Sequence, residues 1–69
     1  MSRKQKVYNA IKALKGRVPD QASWRSVVQA AGYSAYRDAA GFYGGRHPSM
    51  VLNADGSRSL TAHGWRRAG

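Results

Sequence analysis

The sequence predicts a small, mostly helical α+β domain: a three-helix bundle followed by a C-terminal β-hairpin, all within 69 residues. Two observations carry this. Apolar residues recur at helical spacing in the first half of the chain, and an Asp-Gly pair separates two short runs in the second half. Length adds a bound, because a chain of this size forms one domain and buries only about 60% of its unfolded surface. That leaves little depth for a large enzyme cleft.

The first helix is expected over about residues 3–15. Val7, Ala10, Ile11 and Leu14 form one stripe of a 3.6-residue period, with Arg3, Lys4, Lys6, Lys12 and Lys15 around it. Lys12, Lys15 and Arg17 suit the negative pole at its end, Gly16 offers a C-cap, and Pro19 prevents continuation. After a short polar connection, the second helix is expected over about 23–31. Ser23 serves as its N-cap, Trp24, Val27, Val28 and Ala31 make its buried face, and Gly32 stops it.

The third helix is expected over about 35–43, behind a second N-cap at Ser34. Ala39, Phe42 and Tyr43 face inward; Arg37, Ala40 and Gly41 face outward, and Gly44-Gly45 ends it. Gly41 inside a helix costs about 1 kcal/mol relative to Ala. Small outward residues, however, allow close approach to a partner surface.

The hairpin is expected over about 50–61, around Asp55-Gly56 as a two-residue type I′ turn. That register sets Ala54 opposite Ser57, Asn53 opposite Arg58, Leu52 opposite Ser59 and Val51 opposite Leu60. Val51 and Leu60 then face the core near the base. Asn53 and Arg58 share that face nearer the tip, within reach of water or a ligand. Residues 62–67 read as a tail or single helical turn anchored by Trp65.

Charge dominates the composition. Lys and Arg number 12 against 3 acids, for a formal net charge of +9. The acids are Asp20, Asp38 and Asp55, with no Glu to neutralise the cations locally. A field of this sign favours phosphate polymers or anionic lipid. The absence of Cys removes disulfides, thiolate metal sites and thiol catalysis together. His47 and His63 match no zinc spacing, the scattered Asp residues make no two-metal site, and Gly44-Gly45-Arg46 lacks the Lys-Ser/Thr of a nucleotide P-loop. The expectation is a protein that is not an enzyme and uses no cofactor or metal. No apolar run approaches the ~20 residues of a membrane span, and the charged N-terminus leads into no secretory h-region. A cytoplasmic location is therefore expected, nucleoid-associated in a bacterial host.

Three helices and then a hairpin, with a tight Gly turn between helices two and three, resembles the winged helix-turn-helix DNA-binding family in its small bacterial or phage form. The run Trp24-Arg25-Ser26-Val27-Val28-Gln29-Ala30-Ala31-Gly32-Tyr33-Ser34 is similar to the family's helix-turn, and Leu60-Thr61-Ala62-His63-Gly64 to the Leu-Thr-x-x-Gly that often closes its wing. Together the matches span residues 7–64. One departure is the spacing from Tyr33 to Ala39, one residue longer than the family pattern. The resemblance implies sequence- or shape-selective binding of double-stranded DNA by a small transcriptional regulator or an architectural or silencing factor. The third helix would enter the major groove and the wing would touch minor groove or backbone.

Residue chemistry agrees with that implication while leaving alternatives open. Arg37, in the first turn of the third helix, suits bidentate contact with guanine, or an ion pair with Asp20. Ser34 caps that helix or donates to phosphate, Tyr36 touches backbone or packs on helix two, and Gly41 permits close approach. Arg46 and His47 are placed for phosphate, or lie in a plain loop. In the wing, Arg58 suits a narrow A·T-rich minor groove. Asn53 and Ser57 stand beside it for base or phosphate contact, or the whole wing presses on phosphates without sequence choice. Arg3, Lys4, Lys6, Arg25, Arg66 and Arg67 are positioning charges on phosphate. Trp24, Phe42 and Trp65 are expected in the core rather than stacked on single-stranded bases. The chain is expected to be a monomer in solution that binds cooperatively along DNA. Competing readings are a protein-interaction module for an acidic partner, RNA binding, and membrane-surface binding through the first helix.

Overall fold

A computed structural model of the chain describes residues 1–33 and 41–69. Helix α1 (Arg3–Ala13) starts where Ser2 Oγ accepts the Gln5 N–H at 3.1 Å, and buries Val7, Tyr8 and Ile11. It ends two residues earlier than periodicity suggests. Lys15 N donates to Lys12 O and Gly16 N to Ile11 O, the paired bonds of a Schellman end. The left-handed residue at the first position past the cap is thus Lys15 (φ 61), with Gly16 one place further on. Leu14, expected in the buried stripe, is left 44% exposed at the cap.

The next element, strand β1 (Arg17–Val18), is invisible in the sequence. Two residues carry no alternation, and pairing with a strand 40 residues away is what makes them a strand. Helix α2 (Gln21–Ala30) then begins earlier than expected. Asp20, not Ser23, is its N-cap, accepting the Ser23 N–H at 2.7 Å through Oδ1. Trp24, Val28 and Ala31 are buried and Val27 packs on them, as the spacing requires. Gly32 (φ 105) closes the helix in a second Schellman arrangement, its N–H on Gln29 O and that of Tyr33 on Val28 O.

The expected third helix falls mainly on residues 34–40, outside the described residues. From Gly41 the chain makes a short 3₁₀ turn in which Gly41 is exposed, Phe42 buried and Tyr43 half-buried against the core. Phe42 is the hub of the aromatic packing. Its ring meets Tyr8 at 5.4 Å, Trp24 at 5.7 Å and Tyr33 at 6.3 Å, all edge to face.

Strands β2 (Met50–Leu52) and β3 (Arg58–Leu60) form the hairpin, and β3 lies centrally in an antiparallel sheet of order β1-β3-β2. The register differs from expectation by one residue: Met50 faces Leu60, Val51 faces Ser59 and Leu52 faces Arg58. Asn53 O accepts the Gly56 N–H and Asn53 N donates to Ser57 O, so the loop holds three residues and Gly56 (φ 89) takes the left-handed place alone. This is the bulged three-residue connection, not a two-residue type I′ turn. The Asp55 carboxylate accepts both the N–H and the Oγ–H of Ser57, which favours the longer turn. A one-residue slip turns a strand over. Met50 therefore enters the core, and Val51 stands 47% exposed.

After β3, the expected tail is a two-turn helix, α3 (Ala62–Ala68), capped by Thr61 Oγ1 on the Gly64 N–H. It lies across α1, burying Gly64 and Ala68. Trp65, expected in the core, is 44% exposed and rests on Gly16 instead. The α+β class holds, with three helices and one three-stranded sheet among the described residues.

Candidate nucleic-acid interface

The sheet separates charge along its length. At the hairpin end sit both described acids. Asp55 Oδ2 pairs with Arg17 Nη2 at 2.7 Å, and Asp20 caps α2 within the field of Arg58. Hydrogen bonds from Ser57 hold the Asp55 carboxyl below its ordinary value, with the Arg17 charge adding to them. Asp20 is lowered mainly by the Ser23 N–H. At the opposite end, α3 and the loop before β2 gather cations. Lys4, Arg66 and Arg67 line one cleft of about 360 Å³ with Ser2, Gln5 and Tyr8. His63 follows on α3 and stacks on His47 with ring centroids 5.7 Å apart. Burial, then the charges of His47, Arg66 and Arg67, holds His63 below its usual value, which places these groups in one shared positive field. Arg46 is exposed beside His47.

Among the expected wing contacts, the geometry assigns other work. Ser57 is fully buried: its Oγ donates to Asp55 and accepts from Arg17 Nε at 3.2 Å and Asn53 Nδ2 at 2.9 Å. Asn53 is half-buried and also donates to Ser59 Oγ. Arg58, expected at the solvent-facing tip, is only 5% exposed, with Nη1 donating to Gly56 O. The hairpin tip is thus an internally bonded clamp whose exposed charge is an ion pair, and Arg58 is folded beneath it. The physical reason is the three-residue loop. It brings Ser57 and Asp55 together, and it sets Arg58 opposite Leu52 in the row that continues to buried Val18.

Of the residues assigned to the third helix and its loop, Ser34, Tyr36 and Arg37 lie outside the described residues, while Gly41, Arg46 and His47 are exposed. The positioning charges divide. Lys4, Arg66 and Arg67 come together in the cleft. Arg3 leans over the Tyr33 ring at 5.1 Å, near the turn after α2. Lys6 edges a shallow apolar groove between α1 and α2, and Arg25 is exposed on α2 apart from the cluster.

Sequence reading missed Ser2, Gln5 and His63 as members of this surface. Ser2 and Gln5 flank Lys4 in the chain, but only the packing of α3 on α1 sets them opposite Arg66 and Arg67, and only the fold stacks His63 on His47. The Arg17–Ser57–Asp55 clamp was likewise illegible, since it depends on β1.

Among the described residues no group of three or more His, Cys, Asp or Glu is placed to hold a metal ion. No helix among them is long and apolar enough to cross a membrane. Comparison with known proteins finds no matching family model, no matching curated protein and no matching solved structure.

Proposed function

We propose that this protein binds double-stranded DNA in the manner of a winged helix-turn-helix domain, as a small regulator or an architectural or silencing factor. The observation that carries this reading is the segregation of charge. Lys4, Arg66, Arg67, Arg46 and the two His form one end of the molecule, and both described acids are drawn to the other. A surface of one sign concentrates a polyanion and speeds its encounter. Two helices precede the hairpin, as the family resemblance implies, while α3 follows it and is no part of that pattern. Under this reading residues 34–43 supply the groove contacts, and the α3 end and the 44–48 loop supply phosphate contacts. The hairpin works as a rigid brace rather than as a minor-groove finger.

Titration of a duplex at several salt concentrations tests it. With roughly 5–8 phosphates neutralised, log K should fall against log[salt] with a slope of about −4.5 to −7. A salt-insensitive interaction overturns the reading, and stronger competition by double-stranded RNA than by DNA redirects it to RNA. One observation favours a second reading, a module for an acidic partner protein: Trp65 is 44% exposed on a basic helix. A partner that stays bound after nuclease treatment, and is lost with Trp65→Ala, would select that reading.

A further inference from the structure

We propose that the cleft between the first turn of α1 and the last turn of α3 is a phosphate-binding site, used under the DNA-binding reading to hold a backbone phosphodiester. Three cations from two elements converge there, Lys4 from α1 and Arg66 and Arg67 from α3, around about 360 Å³ of open space. Neither arginine side chain has a hydrogen bond or ion pair to a described residue, and both are exposed. Arg66 and Arg67 are neighbours in the chain, and packing of α3 on α1 brings Lys4 to them. Trp65 rests on Gly16, Gly64 abuts the Ser49 carbonyl, and Lys12 Nζ reaches Ala68 O at 3.4 Å. Cations held together without a counter-charge from a described residue leave a site whose electrostatic energy an anion lowers.

The lining suits a tetrahedral oxyanion in particular. Arginine forks offer paired N–H donors to two phosphate oxygens, Lys4 supplies a point charge, and the Ser2 hydroxyl, its oxygen already accepting from Gln5 N, has its proton to give. Tyr8 closes the floor with its ring and is itself committed, its OH bonded to Ser49 Oγ at 2.7 Å. α1 carries no acid in its first turn that would fill the site from within. The positive field extends to His63, which gives an elongated ligand a path onward to His47 and Arg46. That continuity favours a polymeric phosphate over an isolated ion.

The experiment has two arms on the full-length chain. In the first, inorganic phosphate is titrated at low salt against isotopically labelled protein while amide and arginine side-chain resonances are followed. Saturable shifts confined to Ser2, Lys4, Gln5, Arg66 and Arg67, and lost in the Lys4→Gln/Arg66→Gln/Arg67→Gln variant, are expected. Non-saturating shifts spread equally over Arg25 and Lys15 overturn the site.

In the second arm, a short duplex is titrated against salt with the same triple variant, its fold checked by its urea transition. If two or three backbone phosphates sit on the cleft and its edge, the slope becomes shallower by about 1.8–2.7. Phosphate shifts together with an unchanged slope assign the site to free phosphate. The two failures are distinguishable. A wild-type chain that binds no duplex but saturates with phosphate loses the DNA reading and keeps the site. A triple variant with the wild-type slope, in a chain without saturable phosphate shifts, loses the site and keeps the DNA reading.

Discussion

Gly16→Ala probes how α3 is held on α1, the contact on which the cationic cleft depends. Gly16 has φ 85, and the Trp65 ring lies against its Cα so closely that an added methyl overlaps Cζ2. The backbone contribution is a left-handed L-residue, costing about 1–2 kcal/mol and offset by about 0.4–1 kcal/mol from the less disordered unfolded chain. The larger contribution is displacement of the ring. Trp65 is 44% exposed, so somewhat more than half of it is covered. At about 150–250 Å² per buried aromatic and about 25 cal/mol per Å², ejecting it costs roughly 2–3.5 kcal/mol.

The sum, about 2–5 kcal/mol, is a large share of the roughly 3–10 kcal/mol expected of a chain this short. Urea unfolding followed by circular dichroism measures it in four proteins: wild type, Gly16→Ala, Trp65→Ala and the double variant. Without the ring, Gly16→Ala should retain only its backbone cost, leaving a coupling of about 2–3 kcal/mol. Equal cost in both backgrounds, within about 0.5 kcal/mol, would show that Trp65 does not rest on Gly16. The account of how the cleft is assembled would then fail.

Ser57→Ala strips the hairpin clamp of its hub, leaving Arg17 Nε and Asn53 Nδ2 without this acceptor. A loss of about 1–3 kcal/mol is expected as a lower urea midpoint at unchanged m, with the salt slope for DNA unaltered. Lys15→Gly relieves the one non-glycine residue with positive φ among those described, and should stabilise by about 0.5–1 kcal/mol, read as a higher Tm. His63 is held below its usual 6.5 by burial and by neighbouring cations, so on acidification the unfolded chain takes that proton first. Its contribution to stability is complete above that value and drains as pH falls through the lowered folded one. Tm should therefore fall more steeply in wild type than in His63→Asn between about pH 7 and pH 5, and parallel curves would dismiss the shared field. Asp55, lowered by Ser57, adds a second loss beginning near its ordinary 3.8 and continuing as pH falls through its folded value. Asp55→Asn should make wild type and variant converge at low pH.

Local order determined much of this protein. The stripes Val7/Ile11 and Trp24/Val28/Ala31, and the stop at Gly32, are helical facts set within a few residues. They stand in the structure as periodicity and capping require. The excess of cations was equally legible, because charge is a property of composition.

Tertiary structure decided the rest, through contacts between residues far apart in the chain. Asp55-Gly56 is compatible with two turn lengths; the local bonds that Ser57 donates to Asp55 favour the longer one, and Arg17, on a strand 38 residues away, joins them by donating to the same carboxylate. That choice turned Val51 outward, brought Met50 in and buried Arg58. Trp65 was read as core because so short a chain spares few large aromatics, yet the packing of α3 against Gly16 left nearly half of it in solvent. The same packing gathered Lys4 with Arg66 and Arg67. A sequence states which charges exist; where like charges are forced together depends on which apolar surfaces must meet, and that is settled only when the whole chain packs.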